Sequence, residues 1–273
     1  MKHLFRSLAP ITERGWEEIE KEAKQTLKAL LAARRLVDFK GPLGWGASDV
    51  ELGRADPIDS PGGAKQVTAR LRRIQPLVEL RIPFEVSRSE LDGIDRGARD
   101  PDLSNVTAAA REIAIAEDRA VFHGYQAAGI TGMCEAQAKE AVSLGEGHAD
   151  YPAAVASALN KLKDSGVQGP FAVALSEQLY KDLTARTDGG YPILSHVQRL
   201  IEGGPVVWAP GLDGGIVASL RGGDFELTVG QDFSIGYLAH DAERVRLYLE
   251  ESFTFLILSA QAAIPLAETT SKR

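Results

Sequence analysis

Two aspartates, Asp224 and Asp232, punctuate the stretch RGGDFELTVGQDFSIGY, Arg221 to Tyr237. Paired carboxylates perform acid–base chemistry when both converge on a cleft and one is held protonated. The residues around them point elsewhere. Phe225, Leu227 and Val229 alternate with Glu226 and Thr228, the period of a half-buried strand. Gly222-Gly223 would turn the chain ahead of it. Gly230-Gln231 interrupts the alternation as a turn or bulge does, and Ile235 and Tyr237 resume it. Both aspartates then fall at strand ends and turns, where the side chain accepts local N–H groups. The stretch reads as structure rather than catalysis.

Other reactive groups are sparse. Cys134 is the single cysteine, so no intrachain disulfide can form. With no histidine close by in sequence it reads as a bland thiol in a reducing compartment, the cytoplasm. His3, His123, His148, His196 and His240 are scattered without metal-ligand spacing. There is no GxSxG elbow, phosphate loop or HExxH, and GLDGG lacks the strand–turn–helix setting of a dinucleotide site. No catalytic, cofactor-binding or metal-ligating residue is expected, and no cofactor.

The 273 residues are 44% hydrophobic and 25% charged, an ordinary globular balance for one large domain or two modest ones. A net charge of −7 argues against nucleic acid as the main partner, because phosphate binding needs a basic face. No export signal is expected in MKHLFRSLAP, and no segment reads as a membrane span.

The elements follow from periodicity. Thr12 can cap a helix with Trp16, Ile19, Ala23, Leu27 and Leu30 on one face, ending near Arg34-Arg35. Such a stripe must lie on the chain's own core or on a partner. Lys40 to Lys65 is rich in Gly, Pro and Asp, and Gln66 to Val86 reads as extended, with Pro76 and Pro83 excluding a long helix. A long arm of this kind fits a partner on another molecule. A second helix runs from Ser104 to a stop at Gly129, with Glu117 and Asp118 mostly off its apolar face. Helix, strand and helix then alternate from Pro152 to Pro210, and the signal is mostly β beyond Gly211. A terminal amphipathic helix and an extended arm together suggest assembly.

Several stretches carry a resemblance: LAPITERGWEEIEKEA, VDFKGPLGWG, PLVELRIPFEVSRSELDGIDRG, RGGDFELTVGQDFSIGY and VRLYLEESFTFLIL. In this order and spacing, from Phe5 to about Leu266, the chain resembles the encapsulins, shell proteins of bacterial and archaeal nanocompartments. The resemblance implies an α+β fold, that of tailed-bacteriophage major capsid proteins. Residues 1–48 would hold the N-terminal helix and the start of a peripheral domain, and 49–75 an extension loop. Residues 76–131 would continue the peripheral domain with its spine helix, 132–221 would form an axial domain, and 222–273 would supply peripheral-domain strands and a C-terminal segment.

It further implies a non-catalytic subunit that self-assembles into an icosahedral shell, sixty copies in the simplest case. The shell would sit in the cytoplasm and enclose a cargo such as a dye-decolorising peroxidase or a ferritin-like protein, with neither nucleic acid nor membrane as partner. By motif position, Leu31, Arg34, Asp38, Phe233, Ile235 and Tyr237 would receive the cargo's C-terminal targeting peptide. The apolar members would seat aliphatic residues, and Arg34 and Asp38 would supply charged hydrogen bonds. Thr187, Asp188, Gly189, Gly190 and Tyr191 would line a five-fold pore, where a ring of Asp188 favours cations. Some relatives stack a flavin on a tryptophan between the PF and ELD elements. Ser89 stands there in this chain, so no flavin is expected. A phage capsid subunit and a hydrolase are the other classes to separate from this reading; the first would package DNA, and the second would need a nucleophile–base constellation.

Overall fold

The computed structural model describes residues 2–63, 66–145, 150–188 and 190–267. Two short 3-10 turns, Lys2–Leu4 and Arg6–Leu8, lead into α1, Glu13–Leu30. The expected face of α1 is the one buried: Trp16, Ile19, Ala23, Leu27 and Leu30. Thr12 caps it, its Oγ1 accepting from Gly15 N at 3.1 Å, and donates to Asp95 Oδ1. Thr12→Ala is expected to cost about 1 kcal/mol, read as a shift in urea midpoint at unchanged slope. The helix stops at Leu30 and a separate 3-10 turn, Ala33–Arg35, follows.

β1 (Asp38–Lys40) comes next, then β2 (Asp49–Ile58) and β3 (Ala69–Pro76), which pair only with each other as an antiparallel ribbon. This is the expected arm. Ile58, Val67, Leu71 and Ile74 are exposed along it. β4 (Val78–Ser87) leads through α2 (Arg88–Arg96) to α3 (Ser104–His123), which packs along α1. α3 ends at Gly124, short of the expected stop at Gly129. Glu117 and Asp118 are fully buried, not off the apolar face as their charge implied.

Beyond α3 lie α4 (Met133–Ala136), β5 (Val142–Ser143), α5 (Tyr151–Asp164), β6 (Phe171–Leu175) and α6 (Glu177–Ala185). Ser176 caps α6 as the sequence indicates. A hairpin of β7 (Thr187–Asp188) and β8 (Tyr191–Pro192) precedes α7 (Ile193–Leu200), β9 (Val206–Trp208) and β10 (Gly215–Ser219). The chain closes with β11 (Phe225–Val229), β12 (Ser234–His240), β13 (Arg244–Ile257) and β14 (Ala263–Ala267).

Two five-stranded sheets organise these elements. In the first, β13 pairs with β4 on one side and with both β11 and β12 on the other, and β1 runs parallel to β11. β11 and β12 are one long strand interrupted at Gly230–Phe233. Val229 pairs with Phe253 and Ser234 with Glu250, so four residues sit between pairs where β13 has only two, Glu251 and Ser252. The bulge foreseen at Gly230-Gln231 is thus present. β11 is buried throughout rather than on one face only, and Glu226 and Thr228 are buried too. At Gly236 the Tyr248 ring lies where a Cβ would stand, 2.1 Å from it, so that position requires glycine.

The second sheet has the order β5-β14-β10-β6-β9, with α4, α5, α6 and α7 against it. Its strand β14 comes from the C-terminal segment. Ala263–Ala267 leaves the first sheet after β13 and fills the gap between β5 and β10. One hydrophobic core spans both sheets, joining Phe225, Leu227, Phe253 and Phe255 to the apolar faces of β6, β10 and α5, and a second packs α1 and α3 against β4, β12 and β13, with Tyr237 at its edge.

Candidate functional site

A groove with a cavity of about 520 Å³ runs between α1 and the start of β12. Ala23, Leu27 and Leu31 form the helical wall, Phe233 and Ile235 the strand wall, and Leu249 of β13 is at the base. The alternation of β12 and the helical period of α1 face each other across it, and this juxtaposition creates an apolar trough. Lys24, Lys28 and Asp232 add charge to its lining, and Leu4 and Arg6 of the N-terminal segment also border it.

Arg34 stands in the groove lining and anchors a buried charge network. Its Nε donates to Glu117 Oε1 at 2.9 Å, its Nη1 to Asp232 Oδ1 at 2.9 Å, and its Nη2 to Glu117 Oε2 at 2.5 Å and Glu251 Oε2 at 3.1 Å. The Phe39 and Phe233 rings lie 5.1 and 4.9 Å from the guanidinium carbon, within cation–π range. Burial alone would lower the Arg34 pKa. Hydrogen bonding and charge from Glu117, then Glu251 and Asp232, reverse this and hold the guanidinium firmly charged. A guanidinium has five N–H donors. Four are used here, which leaves one Nη1 hydrogen for an incoming group.

Glu117 and Glu251 side chains have no exposed surface, whereas Asp232 is 42% exposed. Burial, then the charge of Glu117 and a hydrogen bond to it, raise the Glu251 pKa well above the ordinary range. Glu251 Oε1 has no hydrogen-bond partner among the described residues, which disfavours charge on this carboxyl in the same sense. Next along α3, Asp118 accepts from Ala32 N at 3.0 Å and Ala33 N at 2.9 Å. It thereby pins the chain where α1 gives way to the 3-10 turn bearing Arg34. Burial pushes Asp118 up to about 7 against the opposing pull of the Ala33 hydrogen bond.

Of the residues expected at the groove, Leu31, Arg34, Phe233 and Ile235 line it. Asp38 does not; it faces a separate recess with Arg35 and Phe225, where its Oδ2 accepts from Gly223 N at 2.5 Å. Tyr237 packs against the same core further along β12, its hydroxyl 2.6 Å from His240 Nδ1. The local roles foreseen for the two aspartates hold in part. Asp232 accepts from Phe233 N, but also from Arg34, and Asp224 pairs with Arg221. Sequence reasoning missed Glu117, Asp118, Glu251 and the N-terminal pair Leu4 and Arg6.

The expected pore residues form the β7–β8 hairpin. Thr187 pairs with Pro192 and Asp188 with Tyr191, Gly190 has φ +87°, and Tyr191 is 74% exposed. Gly189 lies outside the described residues, as does His148. Ser89 sits in the first turn of α2, with its hydroxyl 2.7 Å from that of Ser87. Cys134 is half-buried, and burial pushes its thiol up to about 12, which makes it a poor nucleophile. No group of three or more His, Cys, Asp or Glu among the described residues could hold a metal ion, and no described helix is long and apolar enough to cross a membrane.

The architecture is that of capsid subunits. A virus-like particle from Pyrococcus furiosus superposes with a TM-score of 0.62 at 15% identity, over 92% of this chain and 98% of that one. The capsid of Myoviridae phage XM1 gives 0.53 at 12% identity, over 87% and 91%. Sequence similarity narrows the class. The family model Linocin_M18, described as "Encapsulating protein for peroxidase", matches residues 1–254. The type 1 encapsulin shell protein of Rhodospirillum rubrum is 55% identical over 271 residues, 97% of this chain and 96% of that one. The type 1 encapsulin shell protein of Mycobacterium tuberculosis is 43% identical over 267 residues, 98% and 100% of the two chains. This chain belongs to the encapsulin shell-protein family.

Proposed function

We propose that this chain closes into an icosahedral shell of sixty equivalent subunits in the cytoplasm, and that its groove seats the C-terminal targeting peptide of an enclosed enzyme. A dye-decolorising peroxidase or a ferritin-like protein is the cargo in this reading, and the subunit itself performs no catalysis. The observation that carries the proposal is the trough between α1 and β12, with its apolar walls, its basic residues Lys24 and Lys28, and one uncommitted Arg34 N–H. Such a trough suits an extended peptide with spaced aliphatic side chains and backbone carbonyls to satisfy. Leu31, Phe233 and Ile235 are its apolar contacts, and Arg34 is a charged donor at its edge. Asp38 and Tyr237 belong to its surroundings.

Residues 49–75 act as the extension loop, adding the open edge of the β2–β3 ribbon to a neighbour's sheet. The exposed Ile58, Leu71 and Ile74 become buried on assembly. The first sheet with α1 and α3 forms the peripheral domain. Residues 132–221 form the axial domain, joined by β14. The hairpin Thr187 to Tyr191 lines the five-fold opening.

The test is expression of the chain alone, then with a fluorescent protein carrying an aliphatic-rich C-terminal tail taken from a candidate cargo. Negative-stain microscopy is expected to show uniform hollow particles in both preparations. Fluorescence is expected to sediment with the particles only when the tail is present. Particles that exclude the tailed protein would remove the cargo role, and monomers alone would remove the shell.

A further inference from the structure

The groove is bordered by the chain's own N-terminus. Leu4 lines the cavity, yet is only 2% exposed. Four contacts hold this short segment against both sides of the trough. The His3 ring stacks on Trp45 at 4.6 Å and its Nε2 lies 2.6 Å from Gln231 Oε1, beside the start of β12. The Arg6 guanidinium lies 4.1 Å from the Trp16 ring centroid on α1 and pairs with Glu20. Between them Phe5 adopts a left-handed backbone, φ +52°, and leaves its own ring 55% exposed while Leu4 is buried. A non-glycine residue holds such a conformation only where the surrounding contacts over-determine it.

The geometry points to Leu4 as a specificity-determining residue that forms one end of the peptide groove and limits the size of the peptide side chain received there. This inference rests on the groove being the peptide site. Leu4 is an aliphatic side chain already seated in the trough, so it shows which chemistry the trough accepts. It also uses space that a larger incoming group would need. Substitution at Leu4 therefore changes the ranking among peptides, whereas loss of a merely structural anchor weakens all of them alike.

The experiment uses assembled shells and a panel of fluorescent, aliphatic-rich tail peptides. In each peptide one apolar position is replaced by Phe or Trp, and binding is followed by anisotropy. Leu4→Ala opens a pocket, so one member of the panel is expected to gain about tenfold in affinity relative to the parent peptide. Leu4→Phe narrows the same end and is expected to disfavour the largest side chain at that same position. Equal weakening of every peptide by Leu4→Ala, or no change in ranking with either variant, would overturn the assignment. Absence of binding by the unsubstituted shell would instead overturn the reading of the groove itself.

Discussion

Arg34→Ala is expected to destabilise the subunit by roughly 3–5 kcal/mol, because it strands buried carboxylates without their cation. Glu117 and Glu251 have no exposed surface, so water cannot replace the guanidinium. Asp232, 42% exposed, can rehydrate and contributes little to the loss. The Phe39 and Phe233 rings also lose the flat group between them. Arg34→Lys should recover only part, since an ammonium cannot give the forked donation that Nε and Nη2 make to Glu117. Burial and the neighbouring Glu117 favour the neutral form of Glu251, so Glu251→Gln alone should cost much less than Arg34→Ala. Glu117→Gln in the Arg34→Ala background should restore much of the stability. Urea unfolding of the four variants, followed by tryptophan fluorescence, reads this directly. An Arg34→Ala cost below about 1 kcal/mol would mean that the network carries little stability.

The parts of this fold legible in the sequence are those governed by local period. The face of α1 and the bulge at Gly230-Gln231 follow from spacing alone. The buried network does not, because its partners are remote. Glu117 meets Arg34 across 83 positions, and Asp118 meets the Ala33 backbone across 85. Read by charge they belong to a solvated face. Read by position, Ala110, Ala114, Glu117 and Val121 follow one another at helical spacing, and all are buried. That stripe was the available signal. The end of α3 was ambiguous for a different reason, since two glycines compete for it. Gly124 prevails: its backbone turns to φ +89°, outside the helical region, and ends α3 there. Nothing local distinguishes a strand that stays with its own sheet from one that crosses to another, as β14 does.

The subunit is expected to lose stability as pH rises from about 4 to 7, the reverse of a protein held by ordinary ion pairs. Asp118 is raised from 3.8 to about 7 by burial, so the folded state binds more protons than the unfolded chain in between. Stability then falls with pH through that window, is fully present below about 4, and is lost above about 7. Glu251, raised by burial and by Glu117, acts in the same sense. The Asp118 shift corresponds to about 4 kcal/mol. His123 works the other way near 6.5, because burial lowers its proton affinity and its folded form gains stability as pH rises. The measurement is therefore a difference between the natural chain and Asp118→Asn at each pH, in which the His123 contribution cancels. Asn cannot ionise, so the variant should lack the Asp118 part of the slope. It keeps one carbonyl oxygen for Ala32 N or Ala33 N, and so carries a constant cost of about 1–3 kcal/mol for the other. The gap between the two proteins should narrow as pH rises. A gap that widens with pH would show Asp118 ionised in the fold, with the Ala32 and Ala33 hydrogen bonds outweighing burial. The turn that presents Arg34 would then be held by a charged clasp instead of a neutral one.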